Sequence, residues 1–319
     1  MPDVTFAMSQ ACKVLTEVVP GFLVIDKPTG LTSHDCVRRI RQVCKIRRVG
    51  HGGTLDPAAT GVLPIALGSA ARLLRFLPGD KIYKAVIQLG LHTSTNDLHG
   101  EILIRQGWSQ EYKDTTIMHA LAHFQGTIQQ RPPQVSAIHI DGERAYKKVR
   151  RGEAVNLSPR LVTLHRLTLL EWDPDNGQLQ VEIHCSPGTY IRSLARDLGE
   201  LLGCGACLAG LQRTEAAGFG LAQAIPLPNI DAMPLQPLSI LSGLSHMPRL
   251  CLQESEQKCW CHGHHLTLQM SRIECPSTSL NETSPNSVVA LTEDGRVLGI
   301  GLLAPDWVLH PKVVLNATD

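Results

Sequence analysis

Long apolar runs are missing from this chain of 319 residues; no stretch reaches the roughly 18 that a membrane span needs. The start, MPDVTFAMSQACKVLTEVV, lacks the basic opening, apolar centre and small-residue cleavage site of a secretory signal. It is also too short and too poor in arginine for a transit peptide. The expectation is a cytoplasmic protein with no membrane partner. Charge is scarce as well, at 18% of residues and a net +1, so nucleic-acid binding does not follow from the total. Three chemistries lack their signatures. No Gly-Lys-Ser/Thr follows the glycines near residue 50, which excludes a phosphate-cradling loop. There is no Gly-x-Ser-x-Gly elbow and no dinucleotide-binding glycine triplet. No internal repeat is visible.

Hydrophobic residues make up 43% of the chain, which reads as globular and long enough for a large core and two domains. The 10 cysteines are irregularly spaced and, without an export signal, read as reduced thiols. Positive charge is clustered although the total is near neutral. Arg38, Arg39, Arg41, Lys45, Arg47 and Arg48 form one group, and Arg144, Lys147, Lys148, Arg150 and Arg151 another. Such clusters are either solvated helix faces or phosphate contacts.

GFLVID (21–26) is a buried strand entering the turn Lys27-Pro28-Thr29-Gly30. SHDCVRRIRQVCK then predicts a helix capped by Ser33, with Asp35 in the first turn and Val37, Ile40 and Cys44 inward. YKAVIQLG and LQVEIHC alternate as strands, through Tyr83, Ala85, Ile87 and Leu89 and through Leu179, Val181, Ile183 and Cys185. Ile117, Leu121 and Phe124 suggest a helix between them. Residues 130–152 read as an exposed excursion with a short strand, an Asp-Gly turn and a basic helix. TYIRSLARDLGELLG is a helix with Ile191, Leu194, Ala195, Leu198, Leu201 and Leu202 inward and Gly203 closing it. Four prolines between Pro226 and Pro237 predict a linker, and VVALTEDGRVLGIGLL a strand–turn–strand hairpin in a small β domain. The polar stretch 276–287 predicts a mobile loop.

The stretch RRVGHGGTLDPAATGVLP (47–64) holds a single acidic residue, Asp56, among glycines. Asp followed by Pro is a good helix start. That leaves Gly50, Gly52 and Gly53 unexplained, since glycine permits positive φ and close approach of another chain. Pro57 also restricts Asp56 to extended conformations. Arg192 lies in the first turn of its helix, where the dipole disfavours a cation, and no carboxylate on that helix can reach it. It is either solvated or paired with a distant acid. Tyr83, by pattern alone, is a core tyrosine.

GFLVIDKPTGLTSHDCV, RRVGHGGTLDPAATGVLPIALGSAARL, KIYKAVIQLGLHTSTNDLHGEI and VEIHCSPGTYIRSLARDLGELLGCGACLAGLQRTEAAGF together resemble the TruB family, the bacterial tRNA pseudouridine-55 synthases. The likeness runs from about Gly21 to Phe219 with the motifs in the family's order. It implies an α/β (α+β) fold with a mixed, largely antiparallel sheet flanked by helices, and a small C-terminal β-rich PUA-like domain. The implied organisation is an extension at 1–19, a catalytic domain at 20–243 with an RNA-gripping insertion near 130–152, and the PUA-like module at 244–319.

By that resemblance Asp56 is the catalytic carboxylate, Arg192 its cationic partner, and Tyr83 the residue that stacks on the target base and is the candidate for moving the C5 proton. His51, Tyr190 and Leu211 match positions lining the uridine pocket, with His51 filling the space left by the everted base. Asp97 falls in the family's Thr-x-Thr-x-Asp segment, where this chain departs from it at Ser94 and His99. Lys27 and Pro28 match the first motif, in a structural role. Arg38, Arg41, Lys45, Arg144, Lys147, Lys148 and Arg151 become candidate RNA contacts. One carboxylate suits an isomerisation that consumes no water, whereas hydrolysis of a glycosidic bond usually needs two.

The resemblance implies conversion of uridine 55 in the T arm of tRNA, with no cofactor, no metal and no obligatory protein partner. CWCHGHHL (259–266), beside Cys204-Gly-Ala-Cys207, invites a zinc reading, but by the resemblance it falls on an ordinary strand–turn–strand. Two alternatives stand beside the tRNA enzyme. One is a guide-RNA-dependent synthase of ribosomal RNA, against which the insertion and the lack of a lysine-rich tail argue. The other is an RNA-binding or RNA-folding protein with secondary catalysis.

Overall fold

The computed structural model describes residues 19–315 apart from 141, 232–234, 270–271 and 277–285. Most of the extension expected at 1–19 and of the loop expected at 276–287 lies outside the described residues. The elements begin with β1 (Gly21–Lys27), α1 (Ser33–Cys44), β2 (Val49–His51), β3 (Thr60–Leu67), β4 (Lys81–Leu89), β5 (Leu91–Thr93), β6 (Ile102–Arg105), α2 (Asp114–Ala122) and β7 (Gly126–Gln130). There follow β8 (His139–Ile140), β9 (Glu143–Arg144), α3 (Ala145–Arg150), β10 (Arg160–Asp173), β11 (Gln178–Cys185), α4 (Ile191–Leu201) and β12 (Ala206–Ala216). The remainder is β13 (Phe219–Gly220), β14 (Ile225–Pro226), α5 (Ile240–Gly243), β15 (Arg249–Cys251), α6 (Glu254–Cys261), β16 (Leu266–Thr267), β17 (Ile273–Glu274), β18 (Ser287–Leu291), β19 (Val297–Leu303) and β20 (Val308–Val314). Two compact units divide these elements. One takes the described residues up to Pro57, Gly61–Pro78 and those from Ala216 onward, and the other takes Ala58–Thr60 and Gly79–Glu215.

In the first unit β1 runs antiparallel to β3 from Gly21↔Leu67 to Lys27↔Gly61, β2 pairs with β3, and β14 adds to β1 in parallel. Strand alternation sends Leu23, Ile25, Leu63, Ile65 and Leu67 to one face, where Cys36, Val37, Ile40 and Cys44 of α1 cover them. Phe22, Val24, Val62 and Ala66 go to the other and pack with Leu73 and Phe76 of the 3₁₀ stretch Gly68–Phe76. The cap of α1 is Thr32 rather than Ser33. Its hydroxyl accepts the Asp35 N–H at 3.1 Å while the Asp35 carboxylate accepts the Thr32 N–H at 2.9 Å, a reciprocal capping box. The proline-rich segment is no free linker, because Leu227, Ile230 and Leu235 are buried in the α1 core. Pro226 can sit in β14 because that strand is the sheet's outer edge, where a missing N–H costs no ladder bond.

The described residues between Arg249 and Val314 include a separate six-stranded sheet, ordered β16-β20-β19-β18-β15-β17, around Trp260, Leu250, Val288, Leu298 and Leu309. The expected hairpin is β18–β19, with Gly295 of its turn at φ 80°. Residues 259–266 are not a strand–turn–strand. They form the last turn of α6 and the approach to β16; Trp260 and Leu266 are buried in this core, while Cys259 and residues 262–265 are exposed.

In the second unit the strands are ordered β12-β4-β11-β10-β7. β4 and β11 pair from Lys81↔Cys185 to Gln88↔Gln178, and β11–β10 and β10–β7 are also antiparallel. The alternating sets read from the sequence are buried in both β4 and β11. Helix α4 lies against β4, and α2 against β10 and α4. α2 stops at Ala122, so Phe124 falls beyond it in a turn. Leu201 was expected inward but is 49% exposed, because the buried stripe Ile191–Leu194–Ala195–Leu198 continues four residues on, at half-buried Leu202. Gly203, at φ 73°, ends the helix as expected. The excursion contains the short hairpin β8–β9 and then α3, whose Ala145 packs on Val155 and Leu157. Among the described residues no helix is long and apolar enough to cross a membrane.

Gly199 in α4 touches the backbone of Gly205 and Ala206, which a Cβ would overlap. Gly→Ala in an open helix gains about 1 kcal/mol, but overpacking against backbone costs about 1–3 kcal/mol or more. Gly199→Ala is therefore expected to lower the urea midpoint, and a raised one would show that the contact is loose. Burial pushes the thiols of Cys185 and Cys207 up to about 11, so both stay protonated and unreactive through pH 9. A thiol reagent at pH 8.5 is expected to modify the exposed Cys251, Cys259 and Cys275 and to spare those two until denaturant is added.

Candidate active site

Asp56 caps no helix. Pro57 and Ala58 form a turn, and by Thr60 the chain has entered β3, whose ladder with β1 outcompetes a helical start. The loop is held on both sides of the aspartate. Before it, the Leu55 N–H donates to Ser33 Oγ at 2.9 Å, and the Ser33 hydroxyl lies 3.3 Å from the Leu55 carbonyl. After it, the Pro57 carbonyl accepts the Gly30 N–H at 2.8 Å and the Lys27 ammonium at 3.2 Å. Lys27 is fully buried and also donates to the carbonyls of Pro28 and Leu31, at 2.8 and 2.7 Å. Buried charge tolerates nothing less than such a set of oxygens. Ser33, expected as a helix cap, serves here instead. The half-buried Asp56 thus sits between two anchored residues.

The three glycines before it differ in purpose. Only Gly53 has a positive φ, at 135°. A Cβ on Gly50 would come 2.8 Å from Leu74 Cδ1 and one on Gly52 3.3 Å from Pro64 Cβ, so these two serve close packing. His51, half-buried on β2, accepts a long bond from the Gly53 N–H at its Nδ1, 3.4 Å away.

In the second unit Tyr83 is buried on β4, opposite Ile183, and its hydroxyl is hydrogen-bonded to the guanidinium of Arg213 on β12. Guanidinium has donors only, so the phenol oxygen accepts. Arg213 is fully buried; desolvation pushes its pKa down and Tyr83 opposes that. Lys81, next but one to Tyr83, is lowered too, by burial first and then by the Arg213 charge. Arg213 was missed from the sequence. Nothing in LQRTEAAGF separates it from a surface arginine, since only the placement of β12 beside β4 buries it.

Arg192 is buried rather than solvated. Its guanidinium donates to the carbonyls of Thr95 and Val135, each at 3.1 Å, and Nε lies 3.8 Å from Asp97 Oδ2. Asp97 is itself fixed by the Thr95 hydroxyl at 2.6 Å and the His99 N–H at 3.0 Å. The Thr-x-Thr-x-Asp segment therefore helps hold an arginine in place despite its departures at Ser94 and His99. Tyr190 precedes α4, and its backbone is gripped at both ends by the buried Gln130, whose Oε1 accepts the Tyr190 N–H at 2.8 Å while Nε2 donates to its carbonyl at 3.1 Å. Gln130 is a second residue the sequence did not reveal, because a glutamine ending a strand carries no such signal. Leu211 is half-buried on β12.

Among the RNA-contact candidates, Arg38, Arg41, Lys45, Arg144, Lys147 and Arg151 are exposed and Lys148 is half-buried. Some of their charge is already engaged. Arg38 pairs with Asp35, Arg41 donates to the Val49 carbonyl at 3.0 Å, and Arg151 makes a two-pronged pair with Glu143 at 2.7 Å. Arg39 pairs with Asp231.

Residues 41–191 match the family model described as TruB family pseudouridylate synthase, N-terminal domain. The chain is 56% identical over 298 residues to the tRNA pseudouridine synthase B of Parasynechococcus marenigrum (strain WH8102), across 93% of this chain and 98% of the relative. It is 54% identical to that of Synechococcus sp. (strain WH7803), again over 93% and 98%. Among solved structures, one in a Cbf5–Nop10–Gar1 complex superposes with a TM-score of 0.69 at 24% identity, covering 92% of this chain and 84% of that one. At that identity the likeness establishes the fold.

Replacing Lys27 by Met withdraws a charged donor from three carbonyls, and hydrogen bonds of that kind are each worth about 1.5–3 kcal/mol. The variant is expected to lose a few kcal/mol of stability and, by hydrogen exchange, protection of the Leu55 amide. Unchanged protection of Leu55 would mean that Ser33 alone holds the loop.

Proposed function

The chain belongs to the TruB family of pseudouridylate synthases, and from that we propose that it isomerises uridine 55 in the T arm of tRNA to pseudouridine. The observation that carries this reading is the 56% identity, over 93% of the chain, to a relative named tRNA pseudouridine synthase B. On this reading residues 20–243 are the catalytic domain, the insertion near 130–152 and the basic residues Arg38, Arg41 and Lys45 on and just after α1 meet RNA phosphate, and 244–319 are a PUA-like module. The enzyme works in the cytoplasm without cofactor or obligatory protein partner.

The reaction breaks the N1–C1′ bond of the nucleotide, turns the base and joins C5 to C1′; C5 gives up its proton and N1 gains one. No water is consumed, so one carboxylate suffices. Asp56 supplies it, as nucleophile or as stabiliser of charge developing at C1′. The anchoring of Leu55 and Pro57 supports that role, because a carboxylate fixed before the substrate arrives needs no reorganisation in the transition state. Arg192 supplies the counter-charge that keeps a desolvated carboxylate ionised, and its two carbonyl bonds hold the guanidinium still. Tyr83 stacks on the everted base, and Arg213 orients its phenol so that the hydroxyl proton points away from the guanidinium. His51, Tyr190 and Leu211 line the uridine pocket. Everting a base costs a few kcal/mol, and stacking on an aromatic ring returns about 1–3 kcal/mol of it.

Purified protein is expected to release label from a T-arm stem-loop tritiated at uridine C5, with no other RNA, protein or metal added. Asp56→Asn should lower that release by at least about 10⁴-fold, the scale seen when one catalytic side chain is removed, while stem-loop binding persists. A requirement for a guide RNA would move the assignment to a guide-dependent synthase, and binding without any release would leave an RNA-binding protein. Full turnover by Asp56→Asn would remove Asp56 from its role.

A further inference from the structure

Along β11 Val181, Ile183 and Cys185 are buried, so His184 faces the opposite side of the sheet. The ladder to β10 is broken beside it. Leu164 pairs with Cys185 and Arg166 with His184, which leaves His165 as the extra residue of a bulge. A bulge re-aims a side chain that a regular ladder would place elsewhere. Here it brings the His165 ring centroid to 4.8 Å from that of His184. On the other flank Ile82 pairs with His184 and Lys81 with Cys185, so Asp80, two residues before Ile82, shares the His184 face. Asp80 Oδ2 lies 3.3 Å from His165 Nε2 and 3.8 Å from His184 Nε2. Among the described residues this is the one group of three such side chains whose ligand atoms converge, all within 4.8 Å of one another.

We propose that Asp80, His165 and His184 form a binding site for a divalent transition metal, zinc or an ion of similar softness, that ties the entry of β4 to β10 and β11. Two imidazole nitrogens and one carboxylate oxygen are a donor set for such ions, whereas magnesium and calcium prefer oxygen throughout. Ligand bonds of about 2.0–2.2 Å in tetrahedral geometry put donor atoms roughly 3.3–3.5 Å apart. The Asp80–His165 spacing is already there, and the others close by side-chain rotation, which side chains 30–37% exposed permit. The same exposure gives an ion its path from solvent. The fourth position is left for water. The site plays no part in bond-making. Ile183, next to His184, pairs with Tyr83, so an ion here braces from the far face the strands that carry Tyr83. The zinc reading that the sequence invites, at 259–266 beside Cys204 and Cys207, finds no three converging ligand atoms among the described residues.

The test uses full-length protein stripped with a chelator, then titrated with Zn²⁺ by calorimetry and with Co²⁺ by absorption. The expected result is one equivalent bound, a raised Tm, and cobalt bands without a thiolate charge-transfer component. His165→Ala and Asp80→Asn should each weaken binding by about 100-fold or more, since even outer partners of metal ligands are worth roughly 10–100-fold. A Cys259→Ser, Cys261→Ser double variant should bind as the parent does. The proposal is overturned by the absence of saturable binding, by binding that survives both His165→Ala and Asp80→Asn, or by binding lost in the cysteine double variant. Circular dichroism of each variant separates loss of a ligand from loss of the fold.

Discussion

Burying an ammonium group with no oxygen around it costs several kcal/mol, and the Lys27 ammonium is fully buried. That one constraint shapes the chain about it. The turn after β1 must bend its carbonyls from Pro28 and Leu31 back onto the side chain that precedes them, and the Pro57 carbonyl must come in from a distant loop. Gly30 adds a backbone bond to the same carbonyl. Ser33, freed from capping by Thr32, fastens Leu55. The residues on either side of the aspartate, Leu55 and Pro57, are thereby fixed by Ser33 and by Lys27 with Gly30, and the aspartate's backbone inherits their rigidity.

The second unit handles its cations in the same manner. Arg192 and Arg213 are both taken out of water, and each is met by oxygen: two carbonyls and Asp97 for the first, the Tyr83 hydroxyl for the second. Such groups are costly to bury and cannot be moved cheaply once placed. Gln130 closes both backbone hydrogen-bonding sites of Tyr190 with one side chain, where Lys27 meets the carbonyl alone at Pro57. Arg192, Arg213, Tyr83 and the backbone of Tyr190 are thus held by hydrogen bonds additional to those of their own helices and ladders. That is the preorganisation an electrostatic catalyst requires.

Much of this was legible beforehand. The alternation in YKAVIQLG and LQVEIHC marked two strands and their buried faces, because the side-chain period of a strand is two whatever lies beside it. The Gly203 stop and the Asp-Gly hairpin were legible because positive φ is a local demand on a single residue. Errors arose where two local readings competed. Thr32 and Ser33 are equally good caps by composition, and Asp56-Pro57 is a good helix start. Which option prevailed depended on a partner far along the chain, Leu55 in one case and β1 in the other. Of the prolines that suggest a linker, Pro226 lies in the edge strand β14, and the buried Leu227 and Ile230 that follow it outweigh what proline forbids.

By itself the sequence determined the element types, the buried faces and, through its long motifs, the family. Each of these rests on interactions within a few residues or on patterns that survive without knowledge of neighbours. The tertiary structure alone decided that Lys27 reaches Pro57, that Arg213 meets Tyr83, that Gln130 grips Tyr190, and that a bulge at His165 brings it beside His184 and Asp80. Those outcomes depend on strand order and register, and a register displaced by one residue would turn every side chain to the opposite face.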